Sequence, residues 1–238
     1  MKTEFHAANE RGYENPGWLE SYHNFSFAEY FNPLREHFGT LRVLNDSSIQ
    51  AGKGFAEHPH NNMEIISIPL SGCLEQRENT GNIEVFSPGE VQVISAGTGI
   101  RHTEYNHSES EACKFIQLWI YPRNRGISPG SEKKAFDPEK RVNALQMLVT
   151  PDTAQEEGTI PIAQDAWISV TSQIAGNSME YTMHSADNGV FVFQIEGASE
   201  VAGRKLEKRD AVAITETLAF EIRSLGDAEI LITEVPMK

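Results

Sequence analysis

Short apolar runs, interrupted by polar residues, recur along the chain and are separated by clusters of turn residues. The runs cover 63–70, 83–86, 90–94, 115–121, 190–195 and 218–222. Gly, Asn, Asp and Pro are concentrated between them, at 79–82, 87–89, 96–99 and 186–189. These residue types accept the backbone angles of tight turns, and short runs at regular spacing are typical of strands. The pattern predicts an all-β protein that forms a sandwich or a barrel.

Two halves of the chain share an outline. An apolar run ends in glycine at 65–72 and again at 190–197, and each run is followed by a turn and another apolar run, at 88–94 and 208–214. Between the halves, from 122 to 141, Pro, Gly, Lys and Arg replace the alternating pattern. This repetition predicts a duplicated β-barrel, with an N-terminal domain at 1–132, a linker at 133–142 and a C-terminal domain at 143–238.

Composition narrows the classes of function. No apolar run approaches the roughly 20 residues of a membrane-spanning helix, and the formal net charge of -14 argues against direct nucleic-acid binding, since like charges repel. The two cysteines, Cys73 and Cys113, have no paired spacing, and the first residues lack the apolar core of a signal peptide. We therefore expect a cytoplasmic protein with reduced, buried thiols, although spacing alone leaves a disulfide open.

The candidate chemistry lies in the first half. In the stretch 52–64, His58, His60 and Glu64 have the same parity, so on one strand their side chains would share a face. A second pair with the same spacing, His102 and Glu104, follows the glycine-rich turn at 97–99. Adjacent strands would bring the two pairs together, which gives three imidazoles and a carboxylate around one point.

This set of side chains suits a divalent transition metal and lacks the thiolates of most structural zinc sites. The ion itself stays open at this point, because imidazole and carboxylate ligands suit Fe(II), Mn, Ni, Co, Cu and Zn. His6, His23, His37 and His107 have no partner at ligand spacing, and ordinary packing or surface roles are expected for them. No histidine follows His184, so we expect the second half to be free of metal.

The segment Gly52-x5-His58-x-His60-x3-Glu64-x7-Gly72 resembles the first motif of the cupin superfamily. The second motif is lengthened, because His102 follows Gly97 by five residues and precedes a glutamate, and this variation resembles the pirin family. The resemblance implies two tandem cupin (jelly-roll-like) β-barrels packed face to face, with a few short helices. It also implies that His58, His60, His102 and Glu104 are ligands of iron, with Glu64 as a reserve ligand or a residue that orients an imidazole.

Bacterial members of this family imply a metal-dependent dioxygenase that cleaves quercetin-like flavonols with O2 and takes a small aromatic substrate. In that reading Glu104 is also the candidate base for the flavonol hydroxyl proton. One alternative is a redox-sensing regulatory protein that acts through a protein partner, and another is a cupin with an unidentified small-molecule substrate. Because two barrels can cover each other's apolar faces, we expect a monomer.

Overall fold

The computed structural model describes residues 1–79 and 81–238, so the predicted turn at 79–82 includes one residue, Thr80, that lies outside the described residues. The described chain is nearly all β, with two 3-10 helices at Ala8–Glu10 and Pro138–Arg141. The strands are β1 (Lys2–His6), β2 (Gly12–Glu14), β3 (Leu19–His23), β4 (Leu41–Ile49), β5 (Gly54–His60), β6 (Glu64–Ser71), β7 (Leu74–Glu78), β8 (Ile83–Phe86), β9 (Glu90–Ser95), β10 (Ile100–Asn106), β11 (Cys113–Ile120), β12 (Gly130–Ala135), β13 (Gln146–Pro151), β14 (Ile160–Ile162), β15 (Trp167–Gln173), β16 (Ser178–Thr182), β17 (Asn188–Glu196), β18 (Ser199–Val201), β19 (Arg204–Leu206), β20 (Ala211–Thr215), β21 (Ala219–Ser224) and β22 (Ala228–Pro236).

Each half pairs a large sheet with a small one. In the N-terminal half, a seven-stranded sheet in the order β12-β9-β6-β11-β4-β3-β2 faces a four-stranded sheet in the order β5-β10-β7-β8. In the C-terminal half, the orders are β1-β20-β17-β22-β15-β13-β14 and β16-β21-β18-β19. The repeated topology confirms the predicted pair of jelly-roll-like cupin units, each formed by two facing sheets that do not close into a barrel.

The two large sheets pack against each other, which explains why their central strands are apolar on both faces. All but the last residue of β17 is buried. Phe191 and Phe193 belong to the core shared by the two halves, whereas Val190 and Val192 belong to the core of the C-terminal half alone. Alternation along one strand thus fills two separate cores.

At two places, a strand pairs in a different sheet from the one that the predicted domain boundaries imply. Residues 2–6 form β1, which pairs with β20 at the edge of the C-terminal sheet, although the sequence assigned them to the N-terminal domain. Residues 133–135 belong to β12, which pairs with β9 in the N-terminal sheet, although they were assigned to the linker. In each half, one edge strand of the large sheet therefore includes residues that the sequence assigned outside the domain of that half, because pairing across a sheet does not require neighbouring sequence.

The two short 3-10 helices fall far below the length and apolar character that a membrane-crossing helix requires, and none of the described residues forms such a helix.

Candidate metal centre

Strands β5 and β10 place three imidazoles side by side. The two strands are antiparallel neighbours, and His102 pairs directly with His58 while Ile100 pairs with His60. The ring centroids of His58, His60 and His102 lie 4.6 to 4.9 Å apart, and one ring nitrogen from each lies within 4.8 Å of the others. The i, i+2 spacing and the strand pairing therefore deliver the convergence that the sequence predicts.

A tight turn before β10 holds its histidine in place. Gly97 has a φ of +47°, and a Cβ at this position would lie 2.1 Å from the carbonyl oxygen of Ile127. The Gly97 carbonyl also accepts a hydrogen bond of 2.9 Å from the backbone N–H of Asn62, in the loop that follows β5. Glycine is needed here because it combines this backbone angle with the close approach. The turn ties the ends of both histidine-bearing strands together.

The protonation of the imidazoles suits metal binding. His58 Nδ1 lies 2.8 Å from the carbonyl oxygen of Ala56 and donates its hydrogen to it, so Nε2 is the ring nitrogen that faces His102. That Nε2 lies 3.1 Å from Nε2 of His102. The pKa of His60 is lowered to about 4, mainly by burial and to a smaller extent by the nearby His58 ring. The pKa of His102 is lowered to about 3, mainly by burial and to a smaller extent by the other two rings. His60 and His102 are therefore neutral at pH 7, as ligands must be.

Glu104 lies beside this group in a different setting. Its carboxylate is buried and accepts hydrogen bonds from Nε2 of Gln76, at 3.2 Å, and of Gln117, at 2.9 Å. Trp119 Nε1 donates to Gln117 Oε1 at 2.9 Å, which turns the amide hydrogens of Gln117 toward Glu104. Burial raises the pKa of Glu104 to about 7, against the effect of both amides. Glu104 and His58 line the same pocket, whereas the described group within mutual ligand distance consists of the three histidines.

Glu64 is placed away from the imidazoles. It begins β6, in the seven-stranded sheet, and it is fully buried. Its carboxylate accepts a hydrogen bond of 2.5 Å from Ser95 Oγ on β9. His60 and Glu64 do not share a face of one strand, because β5 ends at His60 and the chain turns at Asn62, which has a left-handed conformation with φ of +48°. In the described structure Glu64 is thus bonded to its cross-strand neighbour on β9, within the large sheet of the N-terminal half.

Several residues of the site were not singled out by the sequence. Gln76 and Gln117 hold Glu104, and Trp119 packs edge-on against His60 with 4.9 Å between ring centroids. His23, for which an ordinary role was expected, lines the pocket next to the histidines. The sequence signal that could have identified the pocket wall is a polar residue at a strand position that faces inward, as at Ser21 and His23 on β3.

The corresponding region of the second half carries a different network. His184 Nδ1 lies 2.8 Å from the buried carboxylate of Glu234, which also accepts hydrogen bonds from Tyr181 and Asn188. The His184 ring is stacked on Trp167 with 4.2 Å between centroids. The Glu234 carboxylate thus holds His184 in the segment that joins β16 to β17.

Two cupin sandwiches, one of them with three converging imidazoles, define a bicupin protein with a candidate metal centre in its N-terminal half. Residues 4–120 match the Pirin family, and residues 147–235 match the quercetinase C-terminal cupin domain. The chain belongs to the pirin family.

Similar proteins cover nearly the whole chain. A quercetin 2,3-dioxygenase from Escherichia coli is 38% identical over 229 residues, which is 96% of each protein. A putative quercetin 2,3-dioxygenase from Pseudomonas aeruginosa is 39% identical over 94% of this chain and 95% of the relative. The crystal structure of the bacterial pirin YhhW from Escherichia coli in complex with nickel(II) superimposes with a TM-score of 0.93, at 36% identity and 99% coverage of both chains. A divalent metal site is thus supported for this family member.

Proposed function

We propose that this protein is a metal-dependent dioxygenase that cleaves quercetin-like flavonols with O2 in its N-terminal half. The observation that carries the proposal is the group of three imidazoles whose nitrogens lie within 4.8 Å of one another. The names of the relatives from Escherichia coli and Pseudomonas aeruginosa support the reaction, and the nickel complex supports a divalent ion.

In this proposal His58, His60 and His102 hold the ion, and Glu104 is the fourth ligand. The ion would be Fe(II), which suits imidazole and carboxylate ligands. A bound divalent ion supplies Lewis acidity and fixes the orientation of substrate oxygens. The fit rests on the neutral imidazoles of His60 and His102 and on the Nε2 atoms of His58 and His102, which face each other at 3.1 Å.

The chain's own side chains then prepare the substrate. Gln76 and Gln117 fix the Glu104 carboxylate, whose second proposed role is to accept the proton of a substrate hydroxyl at one of its oxygens. Phe27, Phe55 and Trp119 line the pocket and exclude water from the reacting groups.

A cytoplasmic location and a monomeric state belong to the same proposal. Cys73 and Cys113 are free, and burial raises the pKa of the Cys113 thiol to about 12, which keeps it unreactive. The apolar faces of the two large sheets already cover each other.

The first experiment measures metal content by mass spectrometry and quercetin-dependent oxygen uptake on anaerobically purified protein. We expect one metal ion per chain and oxygen uptake in the wild type, and loss of both in His60→Ala, with at least about a tenfold drop in metal affinity. His37→Ala is the matched control, because His37 is exposed. Within the described residues, its ring forms one hydrogen bond, to the Gly39 carbonyl oxygen. Bound metal without oxygen uptake would contradict the dioxygenase and favour a sensor.

Glu104→Gln separates the two roles of Glu104, since glutamine keeps the shape of the side chain and loses the charge. We expect the metal affinity of this variant to fall, because the neutral amide is a weaker ligand than the carboxylate that Glu104 is proposed to supply. Retained metal with lost oxygen uptake would instead assign Glu104 to proton transfer alone.

A further inference from the structure

The pocket beside the histidines is small. It encloses about 120 Å³ between the two sheets of the N-terminal half. An engineered cavity of roughly 150 Å³ holds one benzene molecule, whereas sites for drug-sized ligands span about 300–1,000 Å³. The enclosed part therefore has room for one aromatic ring, and the remaining rings of a flavonol would lie outside it.

The walls of the pocket separate into aromatic and polar parts. Phe27, Phe55, Phe115 and Trp119 supply the aromatic surface. On the seven-stranded sheet, His23, Asn45 and Gln117 are direct cross-strand neighbours on β3, β4 and β11 and form one polar row. Ser21 and Ser47 form the next row of the same wall. Facing sheets lie about 10 Å apart, so a ring inside the pocket reaches both His58 on one sheet and this polar wall on the other.

Part of the hydrogen-bonding capacity of this wall is unused. The Oδ1 atom of Asn45 lies 2.9 Å from His23 Nδ1 and accepts its hydrogen, which leaves Asn45 Nδ2 without a hydrogen-bond partner among residues 1–79 and 81–238. The hydroxyls of Ser21 and Ser47 lie 2.7 Å apart, so one donates to the other and the second hydrogen is left over. Both groups belong to buried residues, where an unpaired donor is costly.

Burial also holds His23 in the neutral form, because it lowers the pKa of this imidazole below its usual value. The Glu14 carboxylate lies 3.7 Å from His23 Nε2, outside hydrogen-bond distance, and is partly exposed. His23 acts as a positioning residue, because its bond to Oδ1 keeps the amide hydrogens of Asn45 free for a ligand.

We propose that this pocket binds one oxygen-bearing aromatic ring, of the phenol or catechol class, with a ring hydroxyl hydrogen-bonded to Asn45 Nδ2 and the Ser21–Ser47 pair. The ring would lie between the aromatic side chains, which favour offset or edge-on contacts. This inference rests on the proposed function in assuming a small-molecule substrate beside the histidines, and it narrows the substrate class to molecules that present a single hydroxylated ring to the pocket.

The test compares phenol with toluene, which has nearly the same shape and lacks the hydroxyl group, by calorimetric titration of the metal-free protein without oxygen. We expect phenol to bind about tenfold more tightly than toluene to the wild type, which is the value of one buried hydrogen bond. In Asn45→Leu this preference should disappear while toluene still binds. Asn124→Leu is the matched control, since Asn124 is exposed, and it should keep the preference.

Ser47→Ala provides a second variant that removes a single oxygen, and it should reduce the preference for phenol. Absence of phenol binding to the wild type, or an unchanged preference in both Asn45→Leu and Ser47→Ala, would overturn the inference. Because the titration uses neither metal nor O2, it fails or succeeds separately from the oxygen-uptake experiment.

Discussion

His6 shows how one buried imidazole links the stability of the fold to pH. Its ring contacts Phe191 edge-on at 5.2 Å between centroids and is almost fully buried. Burial, followed by the charge of Arg35, lowers the pKa of His6 from 6.5 to about 4. The neutral form is therefore favoured in the folded protein, and its contribution to stability is complete above pH 6.5 and is lost as pH falls through 6.5 toward 4.

We expect His6→Phe to remove this dependence. Between pH 7.5 and 4, the free energy of unfolding of the metal-free wild type should fall by about 3 kcal/mol relative to the variant, the equivalent of the pKa shift. Denaturant titrations at several pH values measure this difference, and His37→Phe, at an exposed histidine, should behave like the wild type. Parallel curves for wild type and His6→Phe would show that His6 does not titrate in this way.

The sequence was sufficient to predict that the side chains of His58, His60 and His102 converge, because i, i+2 side chains share one face of a strand and the two strands were expected to be neighbours. The position of Glu64 could not be predicted in the same way, because the chain leaves β5 after His60 and Glu64 begins β6 in the other sheet. Gln117 and Asn45 could not be singled out either. Their role follows from cross-strand register, which pairs residues 72 positions apart in sequence and is not encoded in either strand by itself.

At the scale of elements, β11 connects the metal-site pocket with the interface between the halves. Gln117 and Trp119 point into the pocket, whereas Ile116 and Leu118 belong to the core shared by the two large sheets. The apolar run at 115–121 predicted a strand here. It could not predict that one face of the strand lines the pocket and the other packs against the large sheet of the C-terminal half, because the packing partner lies elsewhere in the sequence.

The edge strand β1 gives a prediction at the same scale. Removing residues 1–6 takes away the ladder that pairs β1 with β20. We expect the amide hydrogens of β20 that bond to β1 to exchange at least about tenfold faster, because exposed edge groups lose protection. Hydrogen exchange followed by NMR measures this, with β9 as an internal control because β12 still covers it. Unchanged exchange in β20 would contradict a stabilising role for β1.

At the scale of the whole molecule, the shared core makes the two halves one cooperative unit. Phe191 on β17 packs against Phe25 and Phe38 from the N-terminal half, with centroids 5.2 and 5.8 Å away. We expect Phe191→Ala to cost about 3–5 kcal/mol and to lower the midpoint of a single calorimetric transition. The comparison variant Val192→Ala, whose side chain lies in the C-terminal core alone, should leave the contacts between the halves intact. Two separate transitions in the wild type would contradict this view.

The positions of the edge strands β1 and β12 along the chain also set an order of assembly during synthesis. Only 34 residues separate the end of β9 from the start of β12, so the N-terminal half can complete its large sheet once residue 135 has been made. The partner of β1 comes more than 200 residues after it, and at roughly 5–20 residues per second a ribosome needs about 10–40 s to reach it. Polar Lys2, Thr3 and Glu4 keep the waiting strand hydrated. The half that carries the candidate metal centre can therefore form before the other half has completed its large sheet.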